Sequence, residues 1–217
     1  MRSASGKWRA ASYPDMSFGV AAESVCTVTE ICKLIATLAA IHIYPVKSCA
    51  GIAMDSAVVQ SRGLAGDRRF MVVVELGRFL TGRQLPTLVR VRTDLNEQGQ
   101  LTAAAPGFRE LTVTIDPDTA RIQATVWGSE VSALDAGNAA AGWFSAYLGR
   151  PVRLVFADAL MHRAVEPEYA QAEDEVGFAD GYPLLLLSRA ASDALSIRAG
   201  RELGWRRFRP NLLIDGV

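Results

Sequence analysis

From Thr37 onward the chain is a succession of short apolar or alternating segments broken by turn residues at close intervals, and that rhythm restricts it to a β architecture. Ala57–Gln60 leads into the turn Gly63-Leu64-Ala65-Gly66-Asp67, and the apolar run Phe70–Val74 stops at Leu76-Gly77. Thr87–Thr93 alternates Leu88, Arg90 and Arg92 with Val89 and Val91, the period of two expected of a half-buried strand. Asn96-Glu97-Gln98-Gly99 supplies hairpin chemistry before Leu101-Thr102-Ala103. Leu111–Ile115 and Arg121–Trp127 flank the turn Asp116-Pro117-Asp118. The expected fold is a mostly β (α+β) barrel or sandwich with two or three short helices.

Asp135 is positioned to cap a helix whose apolar face carries Trp143, Phe144, Tyr147 and Leu148, with Gly149 ending it and Pro151 following. Ser188 is positioned to cap a second helix, with Ala191, Leu195 and Ile197 inside and Gly200 at its end. Pro183–Leu187 reads as a buried strand. Leu212-Leu213-Ile214 reads as a strand running into the turn Asp215-Gly216, with no return strand after it, and so is expected to sit at an unpaired edge. Residues 1–38 read as a leader of unknown role that packs poorly against the rest. Its first fourteen residues are basic and acid-free, faintly like a transit peptide, and Met16 is an alternative start. A domain boundary is expected in the acidic loop between Phe156 and Gly181, where periodicity fades.

The 23 basic and 23 acidic residues cancel, which gives no general affinity for nucleic acid or an anionic membrane. Half the residues are hydrophobic and 21% are charged, ordinary for a globular protein. The best apolar run, Leu34–Tyr44, is too short for a membrane span. Cys26, Cys32 and Cys49 form neither a disulfide framework nor a zinc spacing, which fits a reducing cytoplasm.

Among the 23 basic residues only Lys7, Lys33 and Lys47 are lysines. In so arginine-rich a chain, Lys47 at a strand end points to a need for a compact ammonium rather than a planar fork. It stands in Ile43-Tyr44-Pro45-Val46-Lys47-Ser48-Cys49. Two further strand ends carry cations: Gly66-Asp67-Arg68-Arg69 and Phe208-Arg209-Pro210-Asn211. An ammonium with guanidinium forks suits a phosphate, because ionic hydrogen bonds are about twice as strong as neutral ones. Each motif alone has a plain structural reading: Asp67 pairing with Arg68 or Arg69, Arg209 pairing with the acidic loop. Their joint occurrence argues for one concave, positive site shared by Lys47, Ser48, Arg68 and Arg209. His42 is expected to face away from Ile41 and Ile43, solvated or hydrogen-bonded; His162 and Glu173-Asp174-Glu175 read as solvated loop residues, and Trp127, Trp143 and Trp205 as packing.

These motifs, with Gln84-Leu85-Pro86 and Pro183–Ser188, resemble the MOSC family in order and rough spacing from about Ala39 to the end. The resemblance is to members with a MOSC N-terminal β-barrel domain: the bacterial YcbX-like proteins and the mitochondrial amidoxime reducing component. It implies a division into the leader 1–38, a MOSC N-terminal β-barrel domain at 39–157, and an incomplete MOSC domain at 158–217. It implies an oxidoreductase that binds the molybdenum cofactor (molybdopterin) and reduces small N-hydroxylated substrates with electrons from a separate flavin or iron–sulfur partner. Pyridoxal phosphate binding is a further family-level implication. The cofactor contacts implied are Lys47, Ser48, Arg68, Gly181, Tyr182, Arg209 and Asn211, with no catalytic side chain and no metal ligand assigned.

Relatives take their molybdenum ligand from a cysteine well beyond the Arg-Pro-Asn step, and no cysteine of this sequence follows Cys49. The expectation is therefore that this chain binds the pterin weakly, holds no metal and is catalytically silent. The alternatives are a non-enzymatic β-barrel recognition module or fragment, and a small barrel for another phosphate ligand.

Overall fold

The computed structural model describes residues 36–96 and 98–216, which form one compact, mostly β unit. The leader expectation lies, for residues 1–35, outside the described residues. In chain order the strands are β1 (Thr37–Ile43), β2 (Ile52–Met54), β3 (Val59–Gln60), β4 (Gly63–Leu64), β5 (Phe70–Val73), β6 (Arg92–Leu95), β7 (Leu101–Ala104), β8 (Leu111–Val113), β9 (Arg121–Val126) and β10 (Ser129–Asp135). Helix α1 (Asn138–Leu148), β11 (Arg153–Phe156), β12 (Leu186–Ser188), α2 (Arg189–Arg198) and β13 (Leu212–Asp215) follow. They assemble into sheets ordered β12-β13-β1-β2, β5-β11-β10-β9 and β6-β7-β8, with β3-β4 as a small ribbon.

β5 explains why the Phe70–Val74 run is apolar without alternation. Phe70 and Val72 enter a core with Leu88, Leu101, Phe144 and Leu154, between β6-β7-β8 and α1. Met71 and Val73 enter a second core on the other face, with Val126, Val131, Val155, Met161 and Phe178. A strand buried on both faces needs apolar residues throughout.

Several expectations are corrected. Residues Pro86–Arg90 form a 3₁₀ turn rather than a strand. Pro86 presets the turn, and Leu88 and Val91 are buried three residues apart while Val89 is exposed, so the burial period is three and not two. Helix α1 is capped at Gly137, not Asp135; Asp135 ends β10, accepts a hydrogen bond from the Gly137 N–H, and pairs with Arg153. Ser188 does cap α2, accepting from the Ala191 N–H. The inward face of α2, however, carries Ser192, whereas Leu195 and Ile197 are exposed. Leu185 and Leu186 are exposed as well, because β12 pairs on one side only, with β13, among the described residues. The last strand is not an unpaired edge: β13 lies between β1, antiparallel, and β12, parallel. Arg209 and Asn211 therefore lead into a central strand. His42 is buried rather than solvated, because Trp205 covers it edge-on at 5.0 Å.

The loop after β11 is pinned by arginines. Arg121 makes a bidentate pair with Asp158, Arg62 binds Glu175 and the Met161 carbonyl, and Arg69 reaches the Ala157 carbonyl. Arg163, buried, donates to the carbonyls of Gly177, Ala179 and Asp180. Within the acidic run, Glu175 is engaged by both Arg62 and His162, so neither it nor His162 is simply solvated.

The turn after β5 has the tightest backbone approach. Gly77 has φ 75°, and a Cβ there would lie 2.1 Å from the Gln123 carbonyl oxygen on β9. Gly77→Ala is expected to destabilise the fold by more than about 1 kcal/mol, since strain and clash add; urea unfolding of the variant measures this.

Candidate functional site

Backbone pairing brings the cationic motifs together. Segment 44–47 runs parallel to 68–70: the Arg68 N–H donates to the Tyr44 carbonyl, the Phe70 N–H to the Pro45 carbonyl, and the Lys47 N–H to the Phe70 carbonyl. Pro45 suits its place because only its carbonyl is needed there. The third motif arrives through β13: the His42 N–H donates to the Asn211 carbonyl at 2.8 Å. Asn211 is 1% exposed, and its side chain donates to the His42 carbonyl and accepts from the Leu185 N–H and Arg68 Nη1.

One cavity of about 610 Å³ results, lined by Lys47, Ser48, Arg68, Gly181, Tyr182, Arg209 and Asn211, all seven residues singled out from sequence. Its lining contains five basic residues, Lys47, Arg68, Arg83, Arg207 and Arg209, against the carboxylate of Asp180. Arg68 donates to Asp67 Oδ2 (2.5 Å), Asn211 Oδ1 (2.9 Å) and the Arg209 carbonyl (2.9 Å), and its guanidinium lies 4.8 Å from the Tyr44 ring centroid. The plain pairing of Asp67 with Arg68 is thus present within the site. Arg209 does not reach the acidic loop. It stacks on the Tyr44 ring at 4.2 Å and donates from Nη1 to the Cys49 carbonyl, while its Nη2 is buried with no partner among the described residues.

Lys47 is buried, and its Nζ donates to the Phe178 carbonyl (2.7 Å) and to Asp180 Oδ1 (2.5 Å). It also lies 5.4 Å from the Phe79 ring centroid and 5.8 Å from that of Trp127. Burial pulls its ammonium down to about 8, against the opposing pull of Asp180. Burial pushes the Asp180 carboxyl up, but Lys47 and the Trp127 indole N–H outweigh this and hold it below its ordinary value.

Sequence reasoning missed Asp180 and Trp127. The signal for Trp127 is conformational: Ser48, Arg68, Trp127 and Arg209, with φ of 45–70°, are the left-handed non-glycine residues of the described chain, and all four line this cavity. Such backbone is costly and concentrates at functional sites. Trp127 also walls a neighbouring cavity of about 420 Å³.

The model of the MOSC N-terminal beta barrel domain matches residues 35–151. The chain belongs to this family. The MOSC N-terminal barrel therefore supplies Lys47, Ser48, Arg68 and Trp127, while Asp180 and Arg209 come from later residues. The chain is 33% identical over 193 residues to mouse mitochondrial amidoxime-reducing component 1, covering 84% of this chain and 56% of the relative. Against the human component 1 the identity is 31%, over 84% of this chain and 57% of the relative. The zebrafish component 1 is 28% identical, over 80% and 56%. The chain thus spans a little over half the length of these relatives. A solution structure of a Bordetella bronchiseptica protein matches 54% of this chain and 99% of its own at 25% identity, with a TM-score of 0.41.

The donor set fits the anionic part of a pterin cofactor, since the buried Arg209 Nη2 has no partner and Lys47 adds a buried ammonium whose present acceptors are the Phe178 carbonyl and Asp180. Among the described residues the one cysteine is Cys49, which is buried. Among the described residues no group of three or more His, Cys, Asp or Glu is placed to hold a metal ion. Burial also pushes the Cys49 thiol up to about 12, so it stays protonated.

The ordinary value for Lys47 is 10.5 and its folded value is about 8, so between them the unfolded chain binds more protons than the folded one. The Lys47 contribution to stability therefore rises as pH increases from about 8 toward 10.5, while the buried Cys49 thiol, pushed up from its ordinary 9.0, acts in the opposite sense above that value, and the charged lysine costs stability at pH 7. Lys47→Met is expected to raise the urea midpoint at pH 7 and to abolish that rise, because exposed Asp180 is left where water solvates it. Urea titrations at pH 7, 9 and 10.5 check both effects; a lower midpoint at pH 7 would mean that the ion pair outweighs burial.

Proposed function

We propose that this protein is a MOSC-type oxidoreductase that binds the molybdenum cofactor and acts on small N-hydroxylated substrates. The observation that carries this reading is the buried, unpartnered Arg209 Nη2 beside Lys47 and Arg68 in one basic cavity, in a chain of this family. The printed names of the relatives, amidoxime-reducing components, supply the substrate class. We divide the chain at residues 157 and 158, with an N-terminal barrel at 39–157 and the beginning of a second, MOSC domain at 158–217. A separate flavin or iron–sulfur protein supplies electrons, and the compartment is the reducing cytoplasm. Among the described residues no helix is long and apolar enough to cross a membrane.

In this reading Lys47, Ser48 and Arg209 hold the phosphate, each donating to an oxygen. Arg68 and Asn211 act as positioning residues, since their hydrogen-bonding groups are engaged by the chain itself. Gly181 leaves open space on its side of the cavity, and half-exposed Tyr182 and Trp127 add aromatic surface to the lining. When bound, the cofactor supplies the two-electron chemistry that removes oxygen from the N–O group. The protein's part is to bind and orient it.

The experiment is expression of these 217 residues in a host that makes the cofactor, followed by measurement of bound pterin, bound molybdenum and hydroxylamine reduction. Pterin is expected to co-purify and to fall about tenfold or more in Arg209→Leu, the loss of a hydrogen bond to a charged group. Molybdenum is expected well below stoichiometry, without turnover, because fully buried Cys49 is not part of the cavity lining. Absence of pterin from the unaltered protein would favour a non-enzymatic recognition module. Stoichiometric metal with turnover would overturn the expectation of silence.

A further inference from the structure

The ammonium of Lys47 already has an anionic oxygen on it. Asp180 Oδ1 sits 2.5 Å from Nζ, although the Asp180 side chain is 70% exposed. Two features make this contact movable at one end only. The backbone of Asp180 is fixed, because Arg163 holds its carbonyl at 2.8 Å and those of Ala179 and Gly177 at 2.6 and 3.0 Å. Its carboxylate is retained by Lys47 and by the Trp127 indole N–H at 3.1 Å, at the open side of the cavity. With most of its side chain in solvent, the carboxylate has room to swing away from Lys47.

We propose that Asp180 is a displaceable internal counter-ion of the anion site, occupying the Lys47 ammonium until a phosphate-like dianion takes its place. This rests on the anion-site reading above and extends it to selectivity. A buried ammonium without a countercharge is costly, so the carboxylate keeps the empty site folded. The same contact sets a threshold for entry, because an incoming anion must recover the cost of expelling Asp180. A monoanion replaces one charge with an equal one and gains little. A dianion reaching both Lys47 and the unpartnered Arg209 Nη2 recovers that cost. The charged groups acting on Lys47 are Asp180, Arg163 and Arg68; Asp180 alone is acidic, so it alone can play this part.

The test uses the full chain and inorganic sulfate, a dianion that does not titrate, followed by calorimetry at pH 6, where Lys47 is charged. Asp180→Asn and Asp180→Ala are both expected to tighten sulfate binding by roughly fivefold, the factor equivalent to an ion pair with one exposed partner. Lys47→Met is expected to abolish it. Loss of binding in Lys47→Met with unchanged or weaker binding in both Asp180 variants overturns the displacement role and leaves the anion site standing. Sulfate binding that survives Lys47→Met overturns the anion site itself.

Discussion

Arg68 is the charge through which three distant segments of the chain meet. A guanidinium this deeply placed is tolerated only when its donors are satisfied. Its acceptors are Asp67 beside it, Asn211 across the first sheet, and the Arg209 carbonyl at the end of the turn before β13. Asp67 is equally committed, since its other oxygen accepts from the Tyr44 N–H at 2.7 Å. Satisfying one cation therefore fixes where the Tyr-Pro-Val-Lys-Ser strand end sits relative to the Arg-Pro-Asn step. The position of Lys47 follows from that backbone, and the orientation of Arg209 follows from the Tyr44 ring beneath it.

The division of labour within the site follows from this economy of hydrogen bonds. Arg68 and Asn211 line the cavity, yet their groups are used by the protein. Arg209 Nη2 has no partner among the described residues, and Lys47 is paired with the exposed carboxylate that we propose is displaced. Residues identical in kind thus differ in what remains available to a ligand, and that difference cannot be read from a motif. It depends on which carbonyls the fold happens to bring within reach.

Much of the fold was legible because its strands obey simple patterns. Phe70–Val74, Leu101–Ala103, Leu111–Ile115 and Arg121–Trp127 all contain or overlap observed strands. Local failures aside, such as the 3₁₀ turn preset by Pro86 and the cap at Gly137, the others share a cause: burial set by partners far along the chain. Leu195 and Ile197 carry an apolar pattern, yet Ser192 faces the sheet. His42 was expected to be solvated or hydrogen-bonded, and it is Trp205, more than 160 residues later, that closes over it. The last strand looked unpaired because local reading cannot see that β1, at the other end of the described chain, is its neighbour. The cationic motifs were legible because lysine is rare and because each sits at a strand end. Asp180 was not, since an aspartate in an acidic stretch carries no signal until the loop is folded back by Arg163.

The left-handed backbone at Ser48, Arg68, Trp127 and Arg209 completes the argument about what the site costs. Glycine would adopt these angles freely, whereas each side chain here opposes them by roughly 1 kcal/mol or more. Side chains are kept at these positions despite that opposition, which implies that the hydroxyl, guanidinium and indole groups are needed where the turns aim them. At Arg209 strain coincides with an unsatisfied buried donor, and at Lys47 burial coincides with charge. Strain, an unpartnered donor and a buried charge thus meet in one cavity. Under the anion-site proposal, a ligand that reaches both residues would stabilise the folded chain by mass action and so couple binding to the folding of this region.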